Sequence, residues 1–133
     1  MRICIIIANY YPEISKKLIL GASKVLKDND LNNFKKIFAP GIFEIPVIIA
    51  KNINSYDAFI ALGCVIKGET PHFEFISRAT INSMSHLSVT YKKPIGNGII
   101  TCLNKKQALN RSDPKKKNKG REAANAVLSV LKA

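Results

Sequence analysis

The sequence predicts a three-layer α/β/α sandwich built on a parallel sheet of about four strands. Short β-rich apolar runs alternate along the chain with segments of helical periodicity. The runs are apolar at nearly every position, as in strands covered on both faces. Polar and aromatic residues gather where the runs end.

The elements follow in order. Arg2 to Ala8 (RICIIIA) reads as a buried strand, broken by Tyr10, Tyr11 and Pro12. From Ile14 to Lys27, Ile14, Leu18, Ala22, Val25 and Leu26 recur at helical spacing with lysines outside. The helix ends at Asp28-Asn29-Asp30. Phe34 to Phe38 reads as a short strand, Pro40-Gly41 as a turn, and Phe43 to Ile53 as a second, mostly buried helix. Ala58 to Ile66 (AFIALGCVI) is another buried strand, and Lys67 to Thr70 a loop. Pro71 to Val89 reads as a helix, with Thr70 as N-cap, Pro71 at the first helical position, and Ile76, Thr80, Met84 and Leu87 inward. Ile95 to Cys102 is the fourth strand and Lys105 to Arg111 a short helix. A loop over Ser112 to Asn118 leads to a last helix, Gly120 to Leu131, with Ala123, Val127, Val130 and Leu131 inward. Right-handed crossovers limit the topology, and the expected arrangement is flavodoxin-like.

At 133 residues, the chain fits one domain over positions 1–133. No window reaches the roughly 18 apolar residues a membrane span needs. The run from Ile3 to Ala8 is too short for a signal peptide, so a cytoplasmic, membrane-free protein is expected. Cys4, Cys64 and Cys102 are odd in number and widely spaced. That pattern argues against a disulfide framework or a zinc site and for small buried hydrophobes. The formal net charge of +12 suits an anionic partner such as nucleic acid, membrane lipid or a phosphorylated small molecule. A compositional bias towards Lys, Asn and Ile accounts for much of it.

In such folds ligands bind beyond the carboxyl ends of the strands. Four loops leave those ends: Ala8 to Pro12, Ala39 to Glu44, Cys64 to His72, and the stretch after Cys102. In the third, a helix start offers free N–H groups and a positive dipole end to an anion. Gly68 permits close approach, Thr70 adds a hydroxyl, and an imidazole at His72 suits proton transfer near neutral pH. The alternative is an ordinary capped helix with a partly exposed histidine. Glu44 is placed either to cap backbone N–H groups or to accept hydrogen bonds from ligand hydroxyls. Judged alone, Phe43 reads as core. Tyr10 is placed to stack on a planar ring or to sit as a surface residue in a turn. Arg111 and Lys119 flank a basic loop, and guanidinium groups bind phosphate bidentately. Lys115 to Lys117 read as a solvated run. His86 has no surrounding motif and reads as structural.

Taken together, Ala39 to Pro46 (APGIFEIP), Ala61 to His72 (ALGCVIKGETPH) and Asn118 to Gly120 (NKG) resemble the lumazine synthases in order and spacing. The resemblance runs from about Arg2 to near the C-terminus. It implies condensation of 5-amino-6-(D-ribitylamino)uracil with 3,4-dihydroxy-2-butanone 4-phosphate to give 6,7-dimethyl-8-ribityllumazine, with loss of phosphate and water. That is the penultimate step of riboflavin biosynthesis. It has no redox step, so no cofactor and no metal are implied.

Residue by residue, the resemblance places Tyr10 against the pyrimidine and Ile42, Phe43 and Glu44 along the ribityl chain and ring. Cys64, Val65 and Ile66 line the same pocket. Glu69 and Thr70 receive the phosphate, His72 handles protons, Arg111 binds phosphate, and Lys119 lies near. Many members carry Phe where this chain has Asn97 in Pro94 to Gly98 (PIGNG). An amide there can bond the pyrimidine edge but offers less stacking area.

The resemblance also implies a homo-oligomer, a pentamer at minimum, with sites between subunits. It leaves open an icosahedral shell and association with riboflavin synthase. The longer N-terminal arm of many relatives is expected to be missing, and Asp113 to Lys117 (DPKKK) lacks the glycines usual in shell-forming members. Two other classes compete. A nucleic-acid module needs aromatics among its cations, and the lysine loop has none. A binding protein of the same fold without chemistry would show no turnover to lose when His72 is changed.

Overall fold

A computed structural model describes all 133 residues, Met1–Ala133. Four parallel strands run β1 (Ile3–Ala8), β2 (Lys35–Ala39), β3 (Ala58–Ile66) and β4 (Ile95–Cys102), in spatial order β2-β1-β3-β4. Ile6 stands opposite Ile37 on one side and Ala61 on the other. Five helices complete the chain: α1 (Pro12–Asp28), α2 (Ile45–Lys51), α3 (His72–Tyr91), α4 (Lys105–Ser112) and α5 (Lys119–Lys132). The arrangement is α/β and flavodoxin-like.

The pleat divides the core in two although every residue of β1 is buried. Ile3, Ile5 and Ile7 join Ile60 and Leu62 in one cluster with α1 and α5. Cys4, Ile6 and Ala8 join Phe59 and Ala61 in the other, against Ile45 and Ile49 of α2 and Met84 of α3. Helices thus cover both faces, which is why these strands read as continuous apolar runs. No helix is long and apolar enough to cross a membrane. The three cysteines are free and buried, as their apolar settings predict.

Several expectations need correction. The helix predicted over Phe43 to Ile53 is a 3-10 turn at Ile42–Glu44 followed by the short α2, whose buried residues are Ile45 and Ile49 alone. It packs by one face and is not mostly buried. At the start of α3, Pro71 and not Thr70 holds the cap position, because its ψ of 2° is not helical. The Pro71 carbonyl accepts the N–H groups of Glu74 and Phe75, and Thr70 Oγ1 accepts the N–H of His72 at 3.4 Å. In α3, Ser77, Thr80 and Met84 are buried, whereas Ile76 and Leu87 are half-buried. In α5 the buried stripe is Gly120, Ala123, Ala124, Val127 and Leu128. Val130, expected inward, is 56% exposed. It lies in the last turn, just outside that stripe.

Candidate active site

The strand order reverses between β1 and β3. Consecutive helices leave these two strands to opposite faces, so a crevice opens past their carboxyl ends. A recess of about 490 Å³ occupies it, within the size range of ligand sites. Its lining draws on three of the four strand ends and on α3: Tyr10 and Tyr11 after β1, Gly41 to Glu44 after β2, Cys64 to Ile66 of β3, and His72 and Ile76 of α3.

Local chemistry fixes each wall. Ser15 Oγ donates to the Ala8 carbonyl at 3.2 Å, tying the first turn of α1 to the end of β1. The Tyr11 carbonyl accepts the N–H groups of Ile14 and Ser15. Between those anchors the rings of Tyr10 and Tyr11 meet edge to face, with centroids 4.9 Å apart. This is a favoured aromatic geometry, and it leaves Tyr10 72% exposed over the recess. Thr80 Oγ1 donates to the Ile42 carbonyl at 3.5 Å, joining the 3-10 turn to α3. Phe43 is 58% exposed and lines the recess, so it is not the core residue its apolar context suggests. The Glu44 side chain makes no cap hydrogen bond to α2, and its carboxylate stays available on the wall. Burial pushes the Cys64 thiol from 9.0 up to about 12, with the nearby Cys102 as the next cause. Burial, then Cys64, raises the Tyr11 phenol as well. Cys64 is therefore a neutral apolar wall.

Eight of the residues singled out from sequence converge here: Tyr10, Ile42, Phe43, Glu44, Cys64, Val65, Ile66 and His72. Glu69 and Thr70 are exposed on the loop just before α3 and do not line the recess. A Cβ on Gly68 would meet nothing within 4 Å, so that loop is open to an approaching group. Tyr11, Gly41 and Ile76 also line it, although the sequence reads them only as a strand break, a turn and an inward helix residue. The adjacency of Tyr11 to Tyr10 was the available signal.

Asn97, Arg111 and Lys119 lie elsewhere, in a recess of about 240 Å³ along the edge strand β4. Thr101, Lys117 and Glu122 share it, with Lys117 exposed on its loop as the solvated reading expects. Arg111 Nη1 donates to the Thr101 carbonyl at 3.1 Å. The one ion pair in the chain joins Lys24 to Asp28, so Arg111, Lys117 and Lys119 are free of carboxylate partners. Three unpaired cations against one carboxylate, Glu122, leave the concavity net positive, which suits an anion. No group of three or more His, Cys, Asp or Glu side chains is placed to hold a metal ion. One recess thus offers aromatic, carboxylate and imidazole groups, the other cations, and no single cavity holds both sets.

Comparison with known proteins gives a consistent result. The family model for 6,7-dimethyl-8-ribityllumazine synthase matches residues 1–133. A 6,7-dimethyl-8-ribityllumazine synthase of Buchnera aphidicola subsp. Acyrthosiphon pisum (strain Tuc7) is 44% identical over 97% of this chain and 84% of its own length. Lumazine synthase 1 of Rhodopseudomonas palustris is 41% identical, with coverages of 98% and 84%. The Pseudarthrobacter chlorophenolicus protein of the same name is 37% identical, over 98% and 82%.

Proposed function

The chain belongs to the 6,7-dimethyl-8-ribityllumazine synthase family, and on that premise we propose that its two recesses are complementary halves of one active site. The chain is a transferase of riboflavin biosynthesis that forms 6,7-dimethyl-8-ribityllumazine from 5-amino-6-(D-ribitylamino)uracil and 3,4-dihydroxy-2-butanone 4-phosphate. The half-sites meet between neighbouring subunits, the first recess of one against the β4 edge of the next.

The observation that carries this is the separation of His72 from Arg111 within one chain. Tyr10 stacks on the pyrimidine, while Ile42, Phe43 and Glu44 hold the ribityl chain and Cys64, Val65 and Ile66 close the wall. Asn97 meets the pyrimidine from the neighbour. Glu69 and Thr70, before α3, and Arg111 with Lys119 across the interface receive the phosphate. The amine attacks the ketone and water leaves to give an imine. Phosphate is then eliminated onto the cations, and the ring closes with dehydration. His72 supplies and removes protons at these steps. Holding two reactants in register is worth up to roughly 7–11 kcal/mol of barrier, which suits a site with one imidazole.

A heterologous interface whose rotation closes forms a ring, and from the family resemblance a pentamer is the smallest assembly we propose. The exposed Phe43, Val47 and Phe75 supply apolar surface for it. We place the protein in the cytoplasm, without nucleic acid or membrane partners. An icosahedral shell and a riboflavin synthase partner are tested by light scattering and co-elution. Incubation with both substrates should release lumazine fluorescence. Absence of product, or a monomer at micromolar concentration, would overturn the shared site.

A further inference from the structure

We propose that Asn118 is the positioning residue that holds the cation recess in shape for the phosphate. It rests on the reading of Arg111 and Lys119 as substrate-binding groups. Asn118 is 0% exposed and lies between the backbone segments that carry them. Ser112 directly follows Arg111, and Lys119 directly follows Asn118.

One amide joins three elements. Asn118 Nδ2 donates to the Ser112 carbonyl at 2.6 Å, at the end of α4, and to the Lys17 carbonyl of α1 at 2.9 Å. Its Oδ1 accepts the Arg121 N–H at 2.8 Å, capping α5. Both donor hydrogens and the acceptor are thus engaged. Arg121 reinforces the same loop, with Nη1 donating to the Pro114 carbonyl at 2.9 Å and Nη2 to the Lys116 carbonyl. The loop bearing Lys117 is therefore held from both sides.

The surroundings are shaped for this amide. A Cβ on Gly21 would fall 2.0 Å from Asn118 Oδ1, and one on Gly120 would fall 2.2 Å from the Leu18 carbonyl oxygen. Two glycines bring α1 and α5 close enough for Asn118 to reach Lys17. Aspartate has the same shape but no donors, and would face two carbonyl oxygens. Serine keeps the cap acceptor but lacks the second donor and the reach.

The functional consequence follows from charge. Arg111, Lys117 and Lys119 repel one another, and Glu122, the one carboxylate lining the recess, forms an ion pair with none of them. Fixing their backbone supports keeps the cations converging on one anion instead of spreading into solvent.

The test is steady-state kinetics on the full chain, varying each substrate in turn, for Asn118→Asp, Asn118→Ser, Arg111→Ala, Lys119→Ala and the Asn118→Asp/Arg111→Ala double variant. We expect Asn118→Asp to raise KM for butanone phosphate at least about tenfold, with KM for the pyrimidine unchanged and kcat reduced less. The double variant should be little worse than Arg111→Ala, since residues in one network do not add. If circular dichroism shows Asn118→Asp unfolded, Asn118→Ser carries the same expectation. Equal rises in both KM values, a fall in kcat alone, or multiplying effects of Asn118 and Arg111 would overturn the proposal. An unchanged butanone phosphate KM in both Arg111→Ala and Lys119→Ala would instead sink the reading of the recess, and this inference with it.

Discussion

His72 and Arg111 line different cavities of the same chain: His72 opens onto the crevice between β1 and β3, and Arg111 onto the edge of β4. If one reaction needs both, no isolated subunit holds a complete site.

Subunit mixing distinguishes a shared site from a private one. His72→Ala and Arg111→Ala chains, each poorly active alone, should regain activity when co-expressed. With random assembly around a ring, about one interface in four pairs an intact His72 with an intact Arg111. Recovery near a quarter of parental activity, read as lumazine fluorescence per subunit, is the expected result. No recovery in verified mixed oligomers would show that each chain works alone.

The same two variants should fail differently when tested separately. His72→Ala removes a proton carrier, whose loss typically costs about 10²–10⁴ in rate where transfer limits the reaction. We expect the lower end, because positioning supplies much of the catalysis. Arg111→Ala removes a charged hydrogen bond to phosphate worth about 1.5–3 kcal/mol. That corresponds to an increase of roughly 10- to 150-fold in KM for butanone phosphate. A pyrimidine KM that rises as far would contradict the division of roles.

The sheet was legible because β1 and β3 are covered on both faces, and burial of that kind leaves an uninterrupted apolar run. Loop positions followed from the same runs. Less legible was anything set by packing angle. Pro46 and the Ile42–Glu44 turn split an apolar stretch that periodicity reads as one helix. Val130 matches the helical period, but its turn runs beyond the buried stripe. Motif order singled out Tyr10, Glu44 and His72, which line one recess. Their distance from Asn97 and Arg111 was not readable, because the loops after β3 and β4 share one end of the sheet and reach different recesses only through the fold.

Alkaline stability should depend on Cys4. Burial pushes its thiol from 9.0 up to about 11. Below pH 9 the thiol is neutral in folded and unfolded chains alike, and its contribution is complete. Above pH 9 the unfolded chain ionises first, so the folded state loses stability as pH rises towards 11. Thermal unfolding against pH should therefore slope down less steeply for Cys4→Ala than for the parent, whatever the variant's starting Tm. Parallel slopes would remove the thiol as the cause.

Asn97 gives the sharpest test of how this chain departs from its relatives. Its Oδ1 accepts the Ile99 N–H of its own strand at 3.1 Å, so one end of the amide is committed. Only its donor end remains to meet a substrate, and a small amide leaves the aromatic face of a pyrimidine largely uncovered. The family resemblance puts Phe at this position, and a stacked ring contributes about 0.5–1.5 kcal/mol beyond burial. Asn97→Phe should accordingly lower KM for the pyrimidine by roughly 2- to 13-fold, while KM for butanone phosphate stays put. Asn97→Ala isolates the amide. If the donor end bonds the pyrimidine edge, its KM should rise, by about fivefold for a hydrogen bond of ordinary strength. A Phe variant that binds pyrimidine more weakly than the parent would mean that the edge of β4 does not face the ring, and that the neighbouring subunit meets the first recess by some other surface.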